Sequence, residues 1–132
     1  YRRQVPHMER LAEKYADDLE IFNLYVREPH ANEGIFGKYD AHASYEQKMG
    51  YAKELVEQKG IKKVTVLVDG MDQKAHEAFG WLPNMVYLAD REGSIVYKAT
   101  WTKPEVLEGV IREILAEEKQ EVGEKKADAV PA

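Results

Sequence analysis

No cysteine occurs in the 132 residues. Its absence excludes disulfides, thiolate metal sites and thiol chemistry within the chain as it stands. There is no apolar run of membrane-spanning length and no signal-peptide pattern, so a soluble chain is expected, with the cytoplasm favoured and no membrane partner. Positive charge is not in excess. Lys and Arg number 19 against 24 Asp and Glu, for a net charge of −5, which argues against a dedicated nucleic-acid binder. No internal repeat is visible. The first residue is Tyr1, not Met, and a processed or truncated product is the expectation. What is abundant is ordinary core and surface: 44% hydrophobic and 33% charged residues, enough to bury the core of one domain.

The periodicity predicts a helix over residues 2–16, with Val5, Met8, Leu11 and Tyr15 as its stripe and Pro6 tolerated in the first turn. LEIFNLYV, residues 19–26, is nearly continuous apolar and reads as a strand buried on both faces. A Gly-rich polar loop covers residues 31–43. The second helix runs from about Ser44 to Lys59 on a Tyr45, Met49, Ala52, Val56 stripe and stops at Gly60. KVTVLV, residues 63–68, is a second strand. A short helix over 73–79 follows, then strands over 84–89 and 94–99 joined by DREG, with Gly93 left-handed. Thr102 and Glu105 form a T-x-x-E capping box for a last helix with Pro104 in its first turn. Val106, Leu107, Val110, Ile111, Ile114 and Leu115 of that helix are expected to face a sheet. From about Glu117 the chain is highly charged, so residues 118–132 are assigned to a flexible tail. Helices alternating with strands, closed by a hairpin, make an α/β three-layer sandwich with a mixed sheet over residues 1–117.

One stretch concentrates titratable chemistry: LYVREPHANEGI, residues 24–35. Pro29 breaks the strand there, and Arg27, Glu28, His30 and Glu33 surround the break. His30 falls just past the carboxyl end of a parallel strand, the edge where open α/β sheets bind ligands. An imidazole there is an acid–base candidate, set against a plain exposed loop histidine. Glu28 either orients His30 or forms a solvated pair with Arg27. His42 opens the second helix region and reads by itself as an ordinary residue at a helix start. Glu28, His30, Glu33, Asp40 and His42 also raise a hard-metal reading, but their spacing matches no metal signature, and neither a metal nor a cofactor is expected. Asp69, Met71 and Asp72 read as a strand-ending turn with a helix cap at Asp72. Phe79 and Trp81 read as packing at the core edge.

Three segments, in order and spacing, carry a resemblance. YVREPHANEG, residues 25–34, resembles the Y-I-x-E-A-H-x-x-D-G segment of the iodothyronine deiodinase family, with Pro29 where the family has Ala. AHASYEQK, residues 41–48, resembles its second His segment. VLVDGMDQKAHEAFGWLPNMVYLADREGSIVYK, residues 66–98, resembles its V-x-x-D-x-M-D-x-x-x-x-x-A-Y-G stretch and the strand pair beyond. The likeness runs from Tyr1 to about Glu117. It implies a thioredoxin-like sheet whose first, central strand and Cys or selenocysteine turn are not among these residues, so the nucleophile is expected just upstream of Tyr1. It implies an active-site His30, with Glu28 and His42 at the same cleft. It also implies a cis-proline at Pro83 shaping a substrate groove; without the resemblance Pro83 would be read as trans. The implied activity is thiol- or selenol-dependent oxidoreduction, either reductive dehalogenation or reduction of a thiol or peroxide substrate, with a thiol reductant or disulfide partner. The alternative is a redox-inactive thioredoxin-like module that binds a protein partner or forms a homodimer to cover open strand edges.

Overall fold

A computed structural model describes residues 3–26, 43–82 and 84–128. The chain divides into two compact units, Tyr1–Thr102 and Lys103–Ala132.

The first unit opens with α1, Val5–Lys14. Val5, Leu11 and Ala12 are its buried residues, and Met8 packs against the same core. The second helix, α2 (Tyr45–Lys59), is capped at both ends. Ser44 Oγ accepts the Gln47 amide at 3.1 Å while Gln47 Oε1 accepts the Ala43 amide at 2.8 Å, a reciprocal arrangement close to a capping box. At the other end Gly60 sits at φ 61°, the left-handed region that glycine enters without steric penalty, and the Ile61 amide closes onto the Val56 carbonyl. The buried positions of α2 are Lys48, Ala52 and Leu55; of the stripe expected from sequence, Ala52 is buried and Val56 packs against the core, whereas Tyr45 is exposed.

Strand β1 (Phe22–Tyr25) pairs in parallel with β2 (Thr65–Val68), aligning Leu24 with Leu67 and Tyr25 with Val68. A short helix α3, Lys74–Phe79, follows β2. Strands β3 (Val86–Ala89) and β4 (Ile95–Ala99) form an antiparallel hairpin. Asp90 shapes its turn: its Oδ1 accepts the amides of Glu92 and Ser94, and Gly93 takes φ 89°. The α/β class holds, with both the parallel and the antiparallel pairing expected of a mixed sheet. Among the described residues these pairings form two separate two-stranded sheets, and the central strand expected ahead of α1 is not among them.

The core is one cluster, in which α1 contributes Val5 and Ala12, β1 contributes Tyr25, α2 contributes Ala52 and Leu55, and the approach to β2 contributes Ile61 and Val64. Val66 and Val68 pack against it from one face of β2. The opposite face is open, with Phe22 55% and Leu67 45% exposed. β1 is thus buried on one face, although its apolar run predicts two.

Glu9 clamps this unit. Its carboxylate accepts the consecutive backbone amides of Lys62, Lys63 and Val64 at 2.7–3.1 Å, fixing α1 to the chain entering β2. Partial burial pushes the Glu9 pKa up, but the three amides and the charge of Lys63 outweigh it, and the net direction is downward.

The second unit carries α4, Pro104–Asp128. Glu105 lies in its first turn and Lys125 and Lys126 in its last, matching the helix dipole at both ends. Leu107 and Ile111, one turn apart, are buried, whereas Val106 is half exposed. The helix continues through the charged stretch that sequence reading assigns to a tail, with a Gln120–Glu124 hydrogen bond one turn apart on its exposed surface. No helix among the described residues is long and apolar enough to cross a membrane.

Candidate functional site

Glu28, His30, His42 and Pro83 all lie outside the described residues, as do Glu33 and Asp40 of the metal reading. What is described is the framework around them. β1 ends at Tyr25, α2 is capped at Ser44, and Leu82 and Asn84 flank Pro83. Three polar nodes stand on this framework.

The first joins α2 to the turn after β2. Asp69 is 5% exposed, and its two oxygens accept the amides of Ala75 and His76 at 3.2 and 3.0 Å. It therefore caps α3 from outside the helix. Asp72, the cap expected from sequence, accepts the Lys74 amide at 3.3 Å and pairs with the Lys74 ammonium at 3.9 Å. Facing this turn is Lys48, 2% exposed. Burial pushes its ammonium pKa below the ordinary lysine range, and the charges of Asp69 and Asp72 oppose that shift without cancelling it. A buried cation is retained beside carboxylates because leaving it uncompensated costs more than the pair does.

The second node brackets α3 with strained backbone. Gln73 and Trp81 adopt φ 56° and 68°, a region that side-chain-bearing residues enter at a cost. At the helix end, the amides of Gly80 and Trp81 both reach the His76 carbonyl, at 3.1 and 3.0 Å. The His76 ring packs on Trp81 with centroids 5.0 Å apart. His76 is buried, and neither ring nitrogen has a hydrogen-bond partner. Phe79 and Trp81, expected inside the core edge, are 43% and 50% exposed. Phe79 stacks on Tyr87, whose hydroxyl donates to the Phe79 carbonyl at 2.6 Å.

The third node lies beside Pro83 in sequence. Thr102 donates its amide and its hydroxyl to the Asn84 carbonyl at 2.9 and 3.0 Å. Gln4, which precedes α1, donates Nε2 to the Thr102 carbonyl at 3.4 Å. The Thr102 hydroxyl proton is thus committed to Asn84, while its oxygen lone pairs stay available to accept. Gln4 Oε1 and Asn84 Nδ2 are buried without partners.

A sequence model of the iodothyronine deiodinase family matches residues 1–116, from the segment before α1 into α4. The chain belongs to the iodothyronine deiodinase family. The family is thioredoxin-like and of oxidoreductase type, so this is a deiodinase-related thioredoxin-like domain. The deiodinase match spans the positions of Glu28, His30, His42 and Pro83 and all three nodes. No curated protein matches the chain.

Sequence reasoning missed Lys48, Gln4 and Asn84. For Lys48 a signal was present: it stands at helical spacing from Ala52 and Leu55, so an i, i+4, i+7 stripe would have buried it. Gln4 and Asn84 belong to no local pattern, because their link to each other runs through Thr102.

Proposed function

We propose that this deiodinase-family domain serves a thiol- or selenol-dependent oxidoreductase whose nucleophile lies just upstream of Tyr1. The observation that carries the reading is the family match over residues 1–116. The start of α1 supports it. Gln4 makes no side-chain cap, and no acidic residue occupies the first turn. The amides at this helix end therefore keep their positive potential for an anion, and a thiolate or selenolate placed there has a lowered pKa.

In the dehalogenating form, the thiolate or selenolate attacks the halogen of a carbon–halogen bond. A sulfur– or selenium–halogen bond forms, and the carbon takes the bonding electron pair and a proton. An external dithiol then supplies two electrons, releasing halide and regenerating the nucleophile as the dithiol becomes a disulfide. His30 is the proton donor, Glu28 orients it, His42 lines the same cleft and Pro83 shapes the groove. A peroxide or disulfide substrate would use the same nucleophile and the same reductant.

A second reading rests on the two two-stranded sheets, which are separate among the described residues. Open strand edges accept added strands, and a redox-inactive module would use them to hold a protein partner or a second copy.

The test starts with the natural reading frame before Tyr1. With a Cys or selenocysteine codon there, the natural protein should turn over an iodinated phenol or a peroxide with dithiothreitol, and His30→Ala should lower kcat by roughly 100-fold or more. A frame without such a residue, or turnover indifferent to His30, would sink the enzyme reading and favour the module.

A further inference from the structure

Strand β2 and the adjoining face of α2 enclose an open groove of about 200 Å³. Met49, Ala52 and Val56 of α2 and Val66 and Val68 of β2 make its apolar walls, and the exposed Lys53 and Glu57 complete its lining. The backbone beside the groove is open as well. The Thr65 and Asp69 amides donate to the Ile21 and Tyr25 carbonyls on the β1 side, at 3.1 and 2.9 Å. Successive residues of a strand turn their hydrogen-bonding groups to opposite edges, so Val66 and Val68 present their amides and carbonyls away from β1. Among the described residues β2 pairs with β1 alone, which leaves that outer edge without a neighbour. Val66 and Val68 therefore supply both a wall of the groove and an open hydrogen-bonding ladder alongside it.

An open edge beside an apolar groove is the complement of an extended peptide, whose backbone lengthens the sheet while its alternate side chains enter the groove. We propose that the β2 edge takes an extended segment of a partner protein as an added strand, with one apolar side chain in the groove and oppositely charged side chains two residues before and after it. The charge pattern follows from complementarity with the rim. Lys53 and Glu57 are one turn apart on the same face of α2, and the residues two places to either side of the apolar one point the same way as it does. An acidic side chain then meets Lys53 and a basic one meets Glu57. The residues between them face the other side of the sheet, where Leu67 is 45% exposed and favours an uncharged β-branched neighbour. The proposal rests on the reading that an open strand edge holds a protein partner. It names the edge and the partner's sequence pattern, and it needs no nucleophile.

The experiment titrates the natural protein, isotope-labelled for amide NMR, with two blocked nine-residue peptides. Each has a central Leu, with Glu and Lys two residues to either side in one of the two possible orders, and Thr elsewhere. The expected result is a shift of the Val66 and Val68 amides, with one order binding about fivefold more tightly than the other. Lys53→Glu combined with Glu57→Lys should exchange that preference, and because both positions are exposed the fold is not at stake. Methylating alternate backbone nitrogens of the preferred peptide in one phase should weaken binding by roughly tenfold or more, and in the other phase should leave it unchanged, since only one phase donates to β2. Equal binding of the two phases overturns strand addition, as does equal binding of N-acetyl-leucinamide, which would fill the groove alone. Equal binding of the two orders, or a preference that the charge exchange does not move, overturns the sequence pattern. Concentration-dependent shifts of Val66 and Val68 without peptide make a second copy the occupant and overturn the partner segment. Shifts confined to β3 and β4 overturn the β2 site and leave the open-edge reading standing, whereas no shift at any strand sinks both.

Discussion

Thr102 gives two hydrogen bonds to one acceptor, the carbonyl oxygen of Asn84, through its amide at 2.9 Å and its hydroxyl at 3.0 Å. The two segments they join are 18 residues apart in sequence, and β3 and β4 lie between them. Replacing Thr102 by Val keeps the shape and the amide bond but removes the hydroxyl donor. The expected loss is about 1 kcal/mol, read as a lower urea midpoint at unchanged slope. Thr102→Ser should recover most of it. An unchanged Thr102→Val midpoint would mean the amide alone satisfies the carbonyl.

Glu9 predicts an acid-side signature. Its folded pKa is depressed, so its contribution is fully present above the unfolded carboxyl value and is lost as pH falls through the lower folded value. Glu9→Gln should cost about 1 kcal/mol at pH 7, the partial exposure of the carboxylate keeping the figure small. Denaturation of both proteins between pH 7 and pH 3 should show the gap closing toward the acid end. A gap independent of pH would show that the charge adds nothing to the three amide contacts.

Lys48 and Asp69 predict opposite effects from removing opposite charges. Lys48→Met should be neutral or stabilising by up to about 2 kcal/mol at pH 7, because burial of the cation outweighs its attraction to Asp69 and Asp72, and Asp69 keeps its two amide contacts when the cation is gone. The folded pKa of Lys48 is depressed, so the folded state releases this proton first and the stability of the unmodified protein rises with pH above that value. The advantage of Lys48→Met should therefore shrink in the alkaline range. Asp69→Asn should cost about 3 kcal/mol, since it weakens the α3 cap and leaves the cation less compensated. The double variant should cost less than the sum of the two, and strict additivity in a urea series would refute the coupling.

The elements that sequence reading located well are those whose ends are set by neighbouring residues. Ser44 and Gly60 bound α2 as expected, and Asp90 and Gly93 make the DREG turn. Where a role depends on a distant segment, reading failed. Asp72 looked like the α3 cap because it is adjacent, yet Asp69 holds that position from the end of β2. Thr102 fits a local capping motif with Glu105, and the distant partner of its hydroxyl proton, the Asn84 carbonyl, is one that the motif does not announce. The apolar run of β1 reports burial on two faces, whereas the described residues cover only one. Of the candidate site, the family was legible from three short motifs, while the polar nodes at Lys48 and at Gln4 were not, since charge and amide side chains leave no periodic trace of what they will meet.

The Glu9 clamp also bears on the order in which the chain folds. It joins residues 53 to 55 positions apart, so the loop between them must close before any of its bonds can form. Bonds of that kind are expected to form after the rate-limiting step, once α2 has brought the approach to β2 back toward α1. In a denaturant-jump experiment Glu9→Gln should then steepen escape from the native state and leave the refolding rate nearly unchanged. On that view this one half-buried carboxylate acts as a latch that sets how long the domain stays folded and has little influence on how quickly it folds.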